Sequence, residues 1–238
     1  MRSAIAFSLI LLMILTGCND DDKVKVQVQV QEEHSPTPTV SSETDHEASE
    51  DSTDQSNDES TNNTIDFSSF FKPNQSVAYF LGEGNEFATL NVKTVWLSEK
   101  YVAHVEDNGG VTLLRVFRIL DDKIEIILEE VIEGTSGEIP YPDVSALEDM
   151  QAIETYLAGP IEVGTQFGKW KIVKVDETLK TPYKNFEHVF VIEEKGDNFI
   201  NRKYFVKDYG EIKRESIMQI DQEEDYIVTS TLEKISQQ

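Results

Sequence analysis

From Ser76 to Ile235 the chain is a succession of short runs in which apolar and polar residues alternate. That period of two marks strands with one buried and one wetted face. The first group of runs covers Val77 to Leu81, Phe87 to Trp96, Lys100 to Glu106, Val111 to Leu120 and Lys123 to Val131. Asp107-Asn108-Gly109-Gly110 supplies the positive-φ residues a hairpin turn needs, and Asp121-Asp122 predicts a second tight turn. Strands joined so closely must be antiparallel neighbours, so a meander is expected.

The pattern changes at Tyr141-Pro142-Asp143, where Val144 to Met150 places apolar residues at helical spacing behind an Asp N-cap and predicts one short helix. Strands resume at Ile153 to Leu157, Lys169 to Glu177, Glu187 to Glu194, Asn201 to Lys207, Ile212 to Ile220 and Tyr226 to Ile235. In Trp170 to Val175 the alternation breaks into two-sided apolar content, as in a sheet that wraps onto itself. The fold expected is mainly β, a strongly curved antiparallel sheet or half-barrel with one short helix; a β-sandwich is the alternative.

Ahead of these strands the composition differs. Residues 19 to about 64 are rich in Ser, Thr, Asp, Glu and Asn and carry almost no large apolar residues after Val24 to Val30, so they cannot repay the entropy of ordering and read as an acidic linker. Lys23 to Gln31 alternates strictly and reads as a lone extended segment, or as a strand that pairs with a sheet edge. At the start, Arg2 and the apolar run Ala4 to Leu15 have signal-peptide character and are too short for a bilayer span of roughly 20 residues. The domains expected are therefore a signal peptide at 1–17, a lipidated N-terminus and linker at 18–64, and one β-rich domain at 65–238.

The cleavage region, Leu15-Thr16-Gly17-Cys18, resembles the lipobox read by lipoprotein signal peptidase. The resemblance implies that the Cys18 thiol receives diacylglycerol and becomes the mature N-terminus, lipid-anchored on the extracytoplasmic face of the cell membrane. Two acyl chains anchor stably where one binds marginally, at about 0.8 kcal/mol per buried methylene. Cys18 is the single cysteine, so no internal disulfide supports the fold. The C-terminal half resembles a family of uncharacterised Gram-positive lipoproteins through Pro160 to Thr165, Trp170, Thr181 to Phe186 and Tyr204 to Lys213. This implies an antiparallel β domain behind a lipobox and carries no activity; Gly164 and Gly210 suit turns, Pro182 a loop, Phe186 and Tyr204 the core.

A net charge of -24 argues against nucleic acid as a partner and against attraction to an anionic membrane surface. No set of residues names a reaction, and no non-covalent cofactor is expected. His104 and His188 lie in strand runs without a nucleophile motif, so a metal-dependent hydrolase requires them to converge with carboxylates. Asp143/Glu148/Asp149 and Asp221/Glu223/Glu224/Asp225 lack EF-hand spacing and read as solvated acidic turns, and His34 and His46 as solvated linker residues. Tyr79, Phe80, Phe87, Trp96 and Trp170 are candidate pocket aromatics for an apolar ligand on a concave sheet, against the plainer reading as core. The function expected is a non-catalytic envelope lipoprotein whose β domain binds a ligand or an envelope protein. The other class considered is a carrier or chaperone-like module with a hydrophobic half-barrel cavity.

Overall fold

Each alternating run becomes a strand, and the strands join edge to edge because their backbone donors and acceptors have no other partners. The computed structural model describes residues 65–132, 139–220 and 224–237. Leu15, Thr16, Gly17, Cys18, the Val24 to Val30 run, His34, His46, Asp221 and Glu223 lie outside the described residues.

In the first half of the sheet are β1 (Ser76–Glu83), β2 (Leu90–Trp96), β3 (Tyr101–Asp107), β4 (Thr112–Ile119), β5 (Lys123–Ile132) and β6 (Glu154–Ala158). The second half holds β7 (Gln166–Phe167), β8 (Trp170–Lys180), β9 (Asn185–Lys195), β10 (Phe199–Val206), β11 (Gly210–Met218) and β12 (Tyr226–Gln237). All belong to one antiparallel sheet of order β6-β5-β4-β3-β2-β1-β12-β11-β10-β9-β8-β7. Two meanders are thus welded where the first strand pairs with the last, Ser76 opposite Gln237. The sheet edges β6 and β7 are consecutive in sequence, and the sheet is nearly closed into a barrel.

Curvature comes from bulges, which bend and twist a strand locally. They fall at Tyr79/Phe80, Val116/Phe117, Ile124/Glu125 and Tyr204/Phe205. Three further register shifts lie between Ile172 and Leu179, and these account for the broken alternation after Trp170. The expected helix is a single turn, α1 (Val144–Leu147), and the Asp143 side chain makes no capping hydrogen bond.

Both faces of the first half are covered. Residues of one parity, Tyr101, Ala103 and Val105 with Leu114, Val116 and Ile127, pack under Leu147 of α1 and the Ile139 to Met150 segment. The other parity faces inward. There Val102, Phe117, Ile126, Tyr156, Phe190 and Phe205 form the central core. A 3-10 turn, Phe67–Phe70, feeds that core with Phe67, Phe70 and Phe71. The Asp66 carboxylate caps the turn through the Ser68 amide at 3.0 Å. Its seat is Gly210, at φ +63, where a Cβ would collide with the Phe70 carbonyl oxygen.

Candidate functional site

Alternation along β3 sends His104 and Glu106 to the inside of the sheet, and antiparallel pairing carries that parity to its neighbours. His104 stands opposite Arg115 of β4, while Lys203 of β10 stands opposite Arg214 of β11. The β10–β11 bulge returns Glu211 to the same side, beside Phe205. Together with Tyr156 and Trp170 these side chains line a cavity of about 410 Å³.

Glu211 is the hub. Its carboxylate receives Arg214 Nε at 2.5 Å and the Tyr156 hydroxyl at 3.2 Å, and Lys203 Nζ stands 3.6 Å away. Arg214 turns its other two nitrogens onto Glu106, at 2.9 and 3.0 Å, in the planar fork-to-fork arrangement guanidinium favours. Glu106 also meets Arg115 at 3.3 Å, and Arg115 reaches outward to Glu129 at 2.6 Å. From behind, Lys72 donates to the backbone carbonyls of Tyr209 and Glu211 at 2.7 and 2.9 Å. The result is a belt of alternating charges across the inside of the sheet.

Burial and these partners set the protonation states. Burial opposes the Glu211 charge, but Arg214, Lys203 and Lys72 overcome it and hold the carboxyl at about 2. Burial similarly opposes ionisation of Glu106, and Arg214 outweighs it. Lys72 is pulled down to about 8 by burial, with Glu211 resisting. Lys203 is lowered for the same reason, and Tyr156 is raised well above the ordinary tyrosine value by burial and by Glu211. His104 is pushed down to about 3 by burial and by Lys72, so it is neutral near pH 7; its Nε2 is buried without a hydrogen-bond partner among the described residues.

The inner aromatics form a continuous chain below the belt. Ring centroids run from Phe71 to His104 at 5.5 Å, His104 to Phe117 at 4.8 Å, Phe117 to Tyr156 at 4.8 Å, and Tyr156 to Phe205 at 5.5 Å. Lys203 Nζ lies 4.8 Å from the Tyr156 centroid and 5.2 Å from that of Trp170, within cation–π range.

Of the candidate aromatics, Trp170 is buried against this cavity and donates Nε1 to Glu154 at 3.0 Å. Trp96 lies at a separate shallow depression beside Pro73 and Asp208, with Nε1 donating to the Lys72 carbonyl at 3.0 Å. Tyr79 is half-buried under Lys234, Phe80 is buried in a core cluster with Leu90 and Leu232, and Phe87 is exposed. His104 is inside the sheet, whereas His188 is on the outside at 82% side-chain exposure, paired with Asp176. Among the described residues no group of three or more His, Cys, Asp or Glu side chains is arranged to hold a metal ion. No described helix is long and apolar enough to cross a membrane.

Sequence reasoning missed Lys203, Glu211, Arg214, Glu106 and Arg115, because a charge in an alternating run reads as solvent-facing. One signal was present: both parities of β11 carry charge, Arg214 on the one that also holds Ile212, and Glu211, Lys213 and Glu215 on the other. A strand whose two faces are both charged has at least one face that must find its partners inside the protein.

No family model matches the chain, and no curated protein matches it. Among solved structures, a Bacteroides fragilis protein inferred to be exported and described as having a YmcC-like fold aligns with 71% of this chain and 100% of its own. The identity is 17% and the TM-score 0.44.

Proposed function

We propose that this protein is a non-catalytic envelope lipoprotein, anchored through diacylglycerol on Cys18, whose curved sheet binds a small molecule in its interior. The observation that carries the binding reading is the cavity of about 410 Å³ lined by Lys203, Glu211, Arg214 and Trp170. That size falls in the range of small-ligand sites, roughly 300–1,000 Å³, and such sites combine apolar walls with a few placed polar groups. The extracytoplasmic location rests on the signal-peptide character of residues 1–17 and the lipobox-like Leu15-Thr16-Gly17-Cys18.

The carrier reading calls for a hydrophobic half-barrel cavity. The apolar part of this interior is filled by Phe67, Phe70, Phe71 and Phe190, and the open part bears charges. The chemistry therefore favours a ligand with polar or charged groups over a wholly apolar one.

Two experiments test the proposal. Cys18→Ala should abolish acyl labelling and release the protein from membranes; a variant that still sediments with membranes removes the anchor. The ligand is sought by purifying the protein from its native envelope, denaturing it and analysing released small molecules by mass spectrometry. A stoichiometric molecule, absent from a Trp170→Ala, Lys203→Met double variant that still folds, is the expected result. Equal recovery from both proteins would remove the cavity as the binding site.

A further inference from the structure

We infer that the cavity takes an amphiphile, with an anionic headgroup (carboxylate or phosphate) seated on Lys203 and an apolar tail leaving across Phe199, Met218 and Tyr226. The inference rests on the ligand-binding reading above and names the ligand's chemistry.

The headgroup's place follows from an unequal distribution of partners. Arg214 has Glu211 and Glu106 on three nitrogens, and Lys72 donates to two backbone carbonyls. Among the described residues Lys203 makes no hydrogen bond, and its carboxylate neighbour, Glu211 Oε2, stands 3.6 Å away, already serving Tyr156 and Arg214 through its two oxygens. The rings of Tyr156 and Trp170 attract the ammonium, but they do not replace oxygen acceptors for its three N–H groups. The Lys203 side chain is 24% exposed, so solvent reaches the ammonium through the cavity, and an anion's oxygens would take the place of that solvent with charge-assisted hydrogen bonds. Across the whole cavity lining five basic side chains face six carboxylates, so it is the local lack of an acceptor at Lys203, and not net charge, that places the anion there. On the Trp170 side Glu154 and Glu194 flank Lys169 at 3.6 and 3.7 Å, so that lysine is already outnumbered and the anion belongs at Lys203.

The tail's path follows from strand register. Ser216 and Val228 line the cavity and stand opposite each other. Two residues further toward the β11–β12 turn, the same parity brings Met218 opposite Tyr226, with Phe199 of β10 opposite Met218. Met218 is 53% exposed and Tyr226 45%, which leaves an apolar track running out from the charged belt. Large apolar side chains exposed together beside a cavity mark a surface that is covered in use.

The test uses the chain from Asn19 to Gln238, which omits only the signal peptide and the acylated cysteine, purified without detergent. Sodium dodecanoate, dodecyl phosphate, dodecanol, dodecyltrimethylammonium and inorganic phosphate are each titrated below their aggregation limits, with calorimetry and tryptophan emission as readouts. The expected result is one-to-one binding of dodecanoate or dodecyl phosphate, at least about tenfold tighter than dodecanol or the ammonium amphiphile. Lys203→Met should remove that preference and Lys203→Arg should keep it. Met218→Ser with Tyr226→Ser should weaken the anionic amphiphile about tenfold without changing the preference for anion over cation.

Inorganic phosphate bound as tightly as dodecyl phosphate would overturn the tail assignment. Equal affinity for the neutral and anionic amphiphiles, or an unaltered preference in folded Lys203→Met, would overturn the headgroup assignment. A stoichiometric neutral or cationic molecule released from the native protein would overturn the amphiphile while leaving the binding domain intact. Failure of every probe together with an empty native cavity would remove both readings.

Discussion

The inside of this sheet has two regions built from the same strands, and they solve burial in opposite ways. Around Phe117, Phe190 and Phe205 the interior is filled by apolar side chains, because the 3-10 turn Phe67–Phe70 adds its own phenylalanines to those of the strands. A few residues along the same strands, Glu106, Lys203, Glu211 and Arg214 turn inward with nothing to fill the space between them, and a cavity results. The filled end gains from apolar burial and dispersion, which need only volume. The belt gains only if every charge finds its partner, since an unpaired buried charge costs more than a paired one returns. The two regions share the inward parity of the same strands, as Lys203 and Phe205 do on β10.

The largest effect expected from breaking this contrast comes from the belt. Arg214→Met removes the partner of Glu211 and Glu106 at once, and denaturant unfolding should register a loss of about 3–5 kcal/mol, toward the upper end. Replacing Glu106, Glu211 and Arg214 together by apolar residues should cost less than the single change, because Arg214 leaves together with the two carboxylates it neutralises, and the partly exposed Lys203 falls back on solvent. If the triple variant is the less stable of the two, the belt is not energetically coupled.

Acid should act on the belt next. His104 binds its proton at about 3 in the folded protein against an ordinary value of 6.5, so the unfolded chain takes up a proton first. Stability is therefore lost as pH falls through that window. Glu211, at about 2 against 4.5, contributes stability that is present above 4.5 and lost as pH falls toward 2. Urea unfolding at about pH 7, 5.5 and 4 should show a steady decline, and in His104→Phe the decline should begin only near the carboxylate range. An unchanged profile in that variant would mean that His104 stays solvated.

At the filled end Phe70→Ala should cost about 3 kcal/mol, the low end for a buried phenylalanine, since Phe70 lies at the margin with Phe190 at 5.4 Å. It should leave the acid response unaltered, which separates the two regions experimentally. The smallest effect is expected at the seat of the turn. Gly210→Ala meets both a left-handed φ of +63 and the Phe70 carbonyl oxygen, and should lower stability by about 1–3 kcal/mol in thermal unfolding. A neutral result there would show that the turn shifts freely, and that the aromatic seal is looser than its packing implies.

Much of the fold was legible along the chain. The alternating runs, the Asn108-Gly109-Gly110 turn and the positive-φ positions Gly164 and Gly210 are local, and local chemistry decided them. Strand β7 escaped notice because it has two residues, and the Phe67–Phe70 turn because its phenylalanines make sense only beside Phe190 and Phe117. The site was scarcely legible. Trp170 was a candidate on composition alone, while Lys203 and Arg214 looked like ordinary surface charges.

What the sequence determined by itself was the period and the turns; the anchor at Cys18 is a proposal that rests on Leu15-Thr16-Gly17-Cys18. Alternation guarantees that a strand has two unlike faces, but it does not say which face a curved sheet will turn inward. That choice was made by tertiary structure. The Ile139 to Met150 segment and Leu147 cover the outer apolar parity of β3 and β4, and pairing of β1 with β12 rolls the sheet toward closure. With the apolar outer face already covered, the opposite parity becomes the interior, charges included. The cavity exists because His104, Glu106, Lys203, Glu211 and Arg214 must then satisfy one another across strands far apart in sequence, which no local pattern records.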